Sequence, residues 1–525
     1  MTAPGPAAVA QGPGRGDDVL VHGGKVLVGF GADDAARWVD DGAVLVRRGV
    51  VAEVGPFADL VARHPGRRRV GGSRFAVVPG FVNAHHHVGL TPFQLGSPDH
   101  PLELWFASRL ALRDVDPELD TLYSAMEMLL SGVTTVQHLH SRAPGSVDDV
   151  LGVAGAVVGA YERLGLRVSY SMALRDQNRI VYGDDEEFAA GVPTAVQPAL
   201  REHLARFTLP LGEQVDLYHE LRRRHHGVGT AAVQLAPANL HWLSDQALDV
   251  ASRLSEESGV PVHMHVVETP YQREYARRRG GGTAVEHLDR FGLVSDRLTI
   301  GHGTWLSASD IELCAGRGVR VCHNCSSNLR LASGRAPVTS MVAAGIPVAL
   351  GIDEAGINDD RDMLQEMRLA LVTNRAPGLD SPRLSAGTVL RMATEHGAGT
   401  TPFDGSIGRL APGRAADLVL LDWDAVTYPY QSPGTPAEDV LVQRARAAAV
   451  HSVMVAGVLV LENRRFTRLD RDAVLAEVAE TLAREPSPAE RRRPVLAAAV
   501  MPEVRRFYAG YLDAGATPDG ADLQR

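Results

Sequence analysis

From Val19 to about Val78 the apolar positions fall in short runs, VLVHGGKVLV, GAVLVRRGVVAEVG and RFAVVPG, rich in β-branched residues and broken by glycine-marked turns. That pattern predicts small antiparallel strands. Beyond Pro79 the texture changes: apolar runs such as GVTTVQHLH, LRVSYSMAL, GTAAVQLAP, VPVHMHVVE, LTIGHG, VRVCHN and IPVALGID alternate with longer stretches of helical period, among them SDQALDVASRLSEESG. About eight such units, ending near Thr400, predict an α/β fold with a parallel (β/α)8 barrel of the TIM type. Small strands return in GSIGRLAPGRAADLVLLD and VHSVMVAGVLVLENRRF. The two strand-rich ends are expected to combine into one small composite β-sandwich beside the barrel. The expected division is a disordered N-terminus over 1–16, sandwich over 17–78, barrel over 79–400, sandwich again over 401–469, and a helical extension over 470–525. That extension is expected on the outside or at a subunit contact.

Composition narrows the class of protein. A hydrophobic content of 45% with 22% charged residues excludes collagen-like and wholly disordered chains. The formal net charge of −10, spread along the chain, excludes a broad nucleic-acid footprint. Three cysteines, Cys314, Cys322 and Cys325, do not make a secreted disulfide framework. With no signal-peptide pattern and no long apolar run, the expectation is a cytoplasmic protein without a membrane segment. Lysine occurs once, at Lys25, in an otherwise arginine-based set of cations.

The chemistry-bearing residues gather at the ends of the predicted barrel strands. VVPGFVNAHHHVG ends in three histidines, and residues i and i+2 of a strand share a face, so His85 and His87 can converge on one metal ion while His86 points away. VHMHVVET offers His263 and His265 with Glu268 just beyond; LTIGHGTW offers His302, and IPVALGIDEAGIND offers Asp353. A barrel aims all of these ends into one mouth.

Through PGFVNAHHH, HMHVVET, GHG, HNCSSNLRLASGRAPV, GIDEAGIND with RDMLQEMR, and GRAADLVLLD, the chain resembles the amidohydrolase superfamily, in its branch of metal-dependent deaminases and triazine hydrolases. The resemblance spans roughly Val19 to Val460. It implies His85, His87, His265 and Asp353 as metal ligands, with Glu268 and His302 as further catalytic groups. Three neutral imidazoles and a carboxylate suit one divalent ion, zinc first, with iron or manganese as alternatives. Asp353 can accept the proton of an activated water, His302 can polarise it, and Glu268 can carry a proton to a ring nitrogen or leaving amine. Binuclear relatives typically bridge their metals with a mid-barrel lysine; Lys25 precedes the first histidine pair, which favours a mononuclear site.

Several positions depart from the family pattern. A second HxH, His138 and His140, ends GVTTVQHLH and has three readings: substrate contact, hydrogen bonding in the barrel wall, or a second metal. Trp305 stands where relatives carry a histidine, and Glu354 where they carry a glycine. Gln94, Trp105, Arg175, Asn239 and His241 complete the candidate substrate contacts. The expected activity is hydrolysis of a C–N bond in a small nitrogen-rich compound, with deamination of an aminated heterocycle ahead of an amide, N-alkylamine or halide substrate, and with a non-catalytic scaffold as the rival class. A homodimer or larger homo-oligomer is implied by the resemblance.

Overall fold

The protein is described by a computed structural model over residues 18–87 and 89–512. The disorder expected over 1–16 lies outside the described residues. Four strands open the fold, β1 (Val19–Phe30), β2 (Ala36–Arg47), β3 (Val50–Pro56) and β4 (Arg68–Pro79). The barrel strands are β5 (Phe81–His86), β6 (Val133–His140), β7 (Arg167–Leu174), β8 (Ala231–Val233), β9 (Ala236–Pro237), β10 (Val262–Val266), β11 (Leu298–His302), β12 (Arg320–His323) and β13 (Val348–Leu350). The chain then returns through β14 (Leu418–Asp422), β15 (Val450–Val455), β16 (Val458–Glu462) and β17 (Arg465–Phe466).

Strands β5, β6, β7 and β8 pair in parallel, as do β10 to β13, and β9 continues the line of β8 beside β7. Parallel bridges join the two arcs, Leu235 to Val262 and Asn239 to His265 on one side and His86 to Asp353 on the other. The ring is thereby closed. Residues of β5 and β6 are buried almost throughout, as expected for strands covered on both faces. The surrounding helices show the local signals that start and stop them. Val147–Leu164 begins at a capping box between Ser146 and Asp149 and ends at Gly165, whose φ of 81° is natural for glycine.

The two chain ends do combine. They form one eight-stranded sheet in the order β17-β16-β15-β14-β4-β1-β2-β3, joined where β14 runs antiparallel to β4. The strand pairing is thus a single continuous path. Lys25 lies on β1, paired with Asp40 at 2.7 Å, far in sequence from any barrel strand. The C-terminal helix Pro488–Tyr508 packs against the segment Leu102–Ala111 that follows the first histidine cluster.

A buried ion pair latches the barrel to this sheet. Arg167, which opens β7, donates through Nε and Nη2 to both carboxylate oxygens of Asp417 at 2.9 and 3.0 Å, and each side chain is 2% exposed. Asp417 also accepts the Ala456 amide at 2.7 Å. Removing one partner strands the other charge in the interior. Asp417→Ala should therefore lower unfolding stability by about 3–5 kcal/mol in denaturant titration, whereas the double change Arg167→Met with Asp417→Leu should cost much less.

Candidate metal centre and substrate pocket

His85 and His87 project from the end of β5, His265 from β10 and Asp353 from the turn after β13. The period of two in β5 puts the two histidines together: their Nε2 atoms are 3.0 Å apart, and His87 Nε2 is 3.1 Å from His265 Nε2. Asp353 Oδ1 lies 3.2 Å from His87 Nε2 and 3.6 Å from His85 Nε2. The β5 strand can come this close because residue 351 is glycine. A Cβ there would lie 2.5 Å from the Cβ of His85 and 2.4 Å from Asn324 Oδ1. Three side chains of the site or its edge sit in the left-handed backbone region, Val267 at φ 44°, His302 at 68° and Asp353 at 62°. Non-glycine residues adopt it rarely, and strain of this kind concentrates at functional sites.

The outer hydrogen bonds fix which ring nitrogen faces the centre. His87 Nδ1 donates to the Leu139 carbonyl at 2.6 Å and His265 Nδ1 to the Ala238 carbonyl at 2.8 Å. His85 Nδ1 meets His263 Nε2 at 2.8 Å. Three Nε2 lone pairs thus point at one another. Ligands bound about 2.0–2.1 Å from a tetrahedral zinc ion stand about 3.3 Å apart, and the separations here match that spacing. Electrostatics agree. Burial, reinforced by the neighbouring rings, holds His85 and His265 well below the usual imidazole range. Burial opposes charge on His87 too, yet the bond to Asp353 lifts it above that range; burial would raise Asp353, but His87 and His302 hold it below the usual carboxylate range. Two imidazoles are thus kept free of protons and the carboxylate ionised, and the donor set fits a divalent cation.

His302, at the end of β11, is held by Asn328 Oδ1 at 2.8 Å and Asn324 Nδ2 at 3.2 Å, with its Nε2 3.7 Å from Asp353 Oδ2. Ser327 donates to Asp353 Oδ2 at 2.5 Å. Glu268 lies 3.8 Å from His302 and accepts a bond from Ser333 at 3.3 Å, while Gln272 Oε1 accepts its backbone amide at 2.8 Å. Burial, with Asp353 and Glu103 beside it, pushes the Glu268 carboxyl well above its ordinary range, so it is poised to hold a proton.

One cavity opens on these groups. Trp105, Phe106, Trp242 and Leu331 form its apolar walls, and Asn239, Arg175, Arg109 and Glu354 its polar ones. Arg109 stacks over Trp105 at 4.5 Å and donates to Glu354 Oε1 at 3.0 Å; Arg175 stacks over Trp242 at 4.7 Å. Glu354 Oε2 and Asn239 Nδ2 are buried without a hydrogen-bond partner among the described residues. Other sequence candidates lie elsewhere. Gln94 is exposed and bonds Thr91 and Tyr123. His138 bonds Tyr161 Oη at 2.9 Å and His140 at 3.2 Å within the barrel wall, and His140 lines an adjoining cavity with His87. His241 turns into an aromatic cluster, 4.0 Å from the Tyr182 ring, and Trp305 donates to the Ser333 carbonyl at 2.7 Å. Sequence reasoning gave no role to Arg109, Ser327, Asn324 or Asn328, although the last three stand inside the HNCSSN segment that carried part of the resemblance.

Comparison with known proteins follows the same line. A family model described as amidohydrolase family matches residues 76–460, and one described as an imidazolonepropionase-like composite domain of bacteria matches residues 42–66. The 5-methylthioadenosine/S-adenosylhomocysteine deaminase of Desulforudis audaxviator is 31% identical, with 84% of this chain and 94% of that protein covered. Among solved structures, an adenosine deaminase from Xanthomonas campestris with bound zinc is 28% identical at a TM-score of 0.73, covering 92% of this chain and 100% of that one. An atrazine chlorohydrolase from Arthrobacter aurescens TC1 complexed with zinc is 23% identical at a TM-score of 0.75, covering 88% and 99%, and shares the fold.

His265→Ala should strip the centre of its ion. Elemental analysis of the purified variant should find metal content reduced at least about tenfold against the wild type, in the range by which loss of metal-site groups reduces affinity.

Proposed function

The chain belongs to the amidohydrolase family, and from that premise we propose that it is a mononuclear metal-dependent hydrolase that deaminates a small aminated heterocycle. The observation that carries this reading is a buried Glu268, its carboxyl pushed above the ordinary range, beside a His85, His87, His265 and Asp353 centre that lines an aromatic-walled cavity. We read the ion as zinc, on the strength of three converging imidazole nitrogens and a carboxylate, a bound cation taking the place of the proton that Asp353 favours on His87. When bound, it supplies Lewis acidity that makes a water nucleophilic near neutral pH.

The remaining work falls to this chain's own side chains. Trp105, Phe106 and Trp242 offer flat apolar surfaces for a heterocycle. Glu354 Oε2 and Asn239 Nδ2, both lacking partners among the described residues, supply an acceptor and a donor for its polar edge. Asp353, oriented by Ser327, takes the proton of the attacking water. His302, locked by Asn324 and Asn328, orients and polarises the attacking water. Glu268 delivers its proton to the nitrogen side, so that the amine leaves as ammonia. The relatives named as deaminases of adenosine-type compounds support an aminopurine-like ring as the first substrate class to test.

We take the eight-stranded sheet to wrap its own apolar cluster of Val21, Val44, Val77 and Leu418 as a sandwich, with the division near residues 79 and 400. No described helix is long and apolar enough to cross a membrane; a cytoplasmic homo-oligomer is the assembly we propose.

A panel of aminated heterocycles and amides, assayed for ammonia with mass-spectrometric detection of other leaving groups, tests the activity. Glu268→Gln should keep its metal and lose about 10²- to 10⁴-fold in kcat, the usual worth of a positioned acid. Unchanged turnover in that variant would overturn the proton-transfer role, and a metal-loaded protein inert towards every compound would overturn the substrate class.

A further inference from the structure

The last described helix lies outside the 76–460 segment that matches the family, yet it connects to the backbone of Glu268 through a chain of buried contacts. Its Tyr508 hydroxyl accepts the backbone amide of Tyr182 at 3.1 Å. The Tyr182 hydroxyl donates to Glu103 Oε1 at 2.9 Å, and the same oxygen accepts the hydroxyl of Thr269. Thr269 is the neighbour of Glu268 and the N-cap of helix Pro270–Gly280, where its Oγ1 accepts the Gln272 amide at 3.3 Å. Gln272 in turn accepts the Glu268 amide at 2.8 Å. Glu103, Tyr182, Thr269 and Gln272 are all buried.

Both ends of the helix are also pinned. Near its start, Arg493 donates to the Leu112 carbonyl at 2.8 Å and to both oxygens of Asp114 at 2.9 and 2.7 Å. Just past its end, Arg278 of helix Pro270–Gly280 donates to the Tyr511 carbonyl at 2.6 Å and stacks over the Tyr511 ring at 4.0 Å. Between these clamps Leu496, Val500 and Val504 pack with Ala107 and Leu110 of the segment that carries Trp105, Phe106 and Arg109 into the cavity.

We propose that this helix and Glu103 act as a strap that positions Glu268 for proton delivery. Tyr508, Tyr182, Glu103 and Thr269 are positioning residues, and the proposal rests on the reading of Glu268 as the proton donor. A buried carboxylate in a network of hydroxyl donors is a costly arrangement unless every donor is in place. Glu103 spends its Oε1 on two hydroxyls from two different segments, one of them that of Thr269, the residue that follows the catalytic one, which ties that backbone to the segment carrying Tyr182. A proton donor displaced by about 1 Å loses much of its effect, so the strap acts on rate more than on binding.

The test uses the full-length, metal-loaded protein and the variants Glu103→Gln, Tyr508→Phe, Thr269→Val and Thr269→Ser. Amide hydrogen exchange over residues 266–280 reads the positioning without any substrate. Exchange there should accelerate about tenfold in Glu103→Gln, Tyr508→Phe and Thr269→Val and stay near wild type in Thr269→Ser, which keeps the hydroxyl. Steady-state rates are then measured on the best amino compound of the panel and on its chloro counterpart, which loses chloride without needing a proton. In Glu103→Gln and Thr269→Val, kcat on the amino compound should fall about tenfold or more with KM within about twofold and metal content unchanged, and the chloro compound should suffer less. Unchanged exchange in Tyr508→Phe would detach the helix from the site and overturn the strap. Faster exchange with unchanged kcat on the amino compound would overturn the positioning role. Failure of Glu268 itself would show separately, as full activity in Glu268→Gln.

Discussion

Three imidazole lone pairs and a carboxylate crowded into one buried point repel one another unless a cation stands between them, and much of the barrel is arranged to hold them there. Donor separations of 3.0, 3.1 and 3.2 Å are close for uncompensated lone pairs and natural for ligands of one ion. The surroundings orient the donors: backbone carbonyls of Leu139 and Ala238 fix two rings, and His263 fixes the third. The ring of strands closes at two seams, one bridging His86 to Asp353 and the other Asn239 to His265, so residues of the centre stand at both. The positive φ at His302 and Asp353 is backbone strain tolerated at the centre.

Much of this was legible in the sequence because strand periodicity is simple. The period of two put His85 and His87 on one face, and the apolar runs located the strand ends that bring His265, His302 and Asp353 to them. What periodicity could not settle was depth along a strand. His263 and His265 share a face of β10, but His265 reaches His87 while His263 stays below and braces His85. The second HxH shows the same limit. His138 carries the right spacing, yet Tyr161 from the following helix takes its Nδ1, a tertiary contact with no local signature. His241 and Gln94 are candidates through the resemblance, from positions where relatives contact substrate, and their side chains follow other partners, an aromatic cluster in one case and a loop hydrogen bond in the other.

The long connection after β5 was the least legible part. Its helix Leu102–Ser108 is only seven residues, too short for a periodic signal, and its arginine and glutamate look like surface residues. In the fold, Arg109 pairs with Glu354 inside the cavity and Glu103 is buried against Thr269 and Tyr182. The C-terminal helix explains why. Expected on the outside or at a subunit contact, it packs over this connection and backs the segment that forms a wall of the pocket. The composite sheet plays the corresponding role at the other end of the barrel, where Arg167 and Asp417 join it to β7.

Anomalous diffraction from a crystal of the metal-loaded protein, recorded at the absorption edge of the bound metal, tests the central claim most directly. The account predicts one strong peak per chain, about 2.0–2.1 Å from His85 Nε2, His87 Nε2 and His265 Nε2 and in contact with an Asp353 oxygen. A peak lying instead at His138 and His140, two peaks within one barrel, or none at these four residues would contradict it.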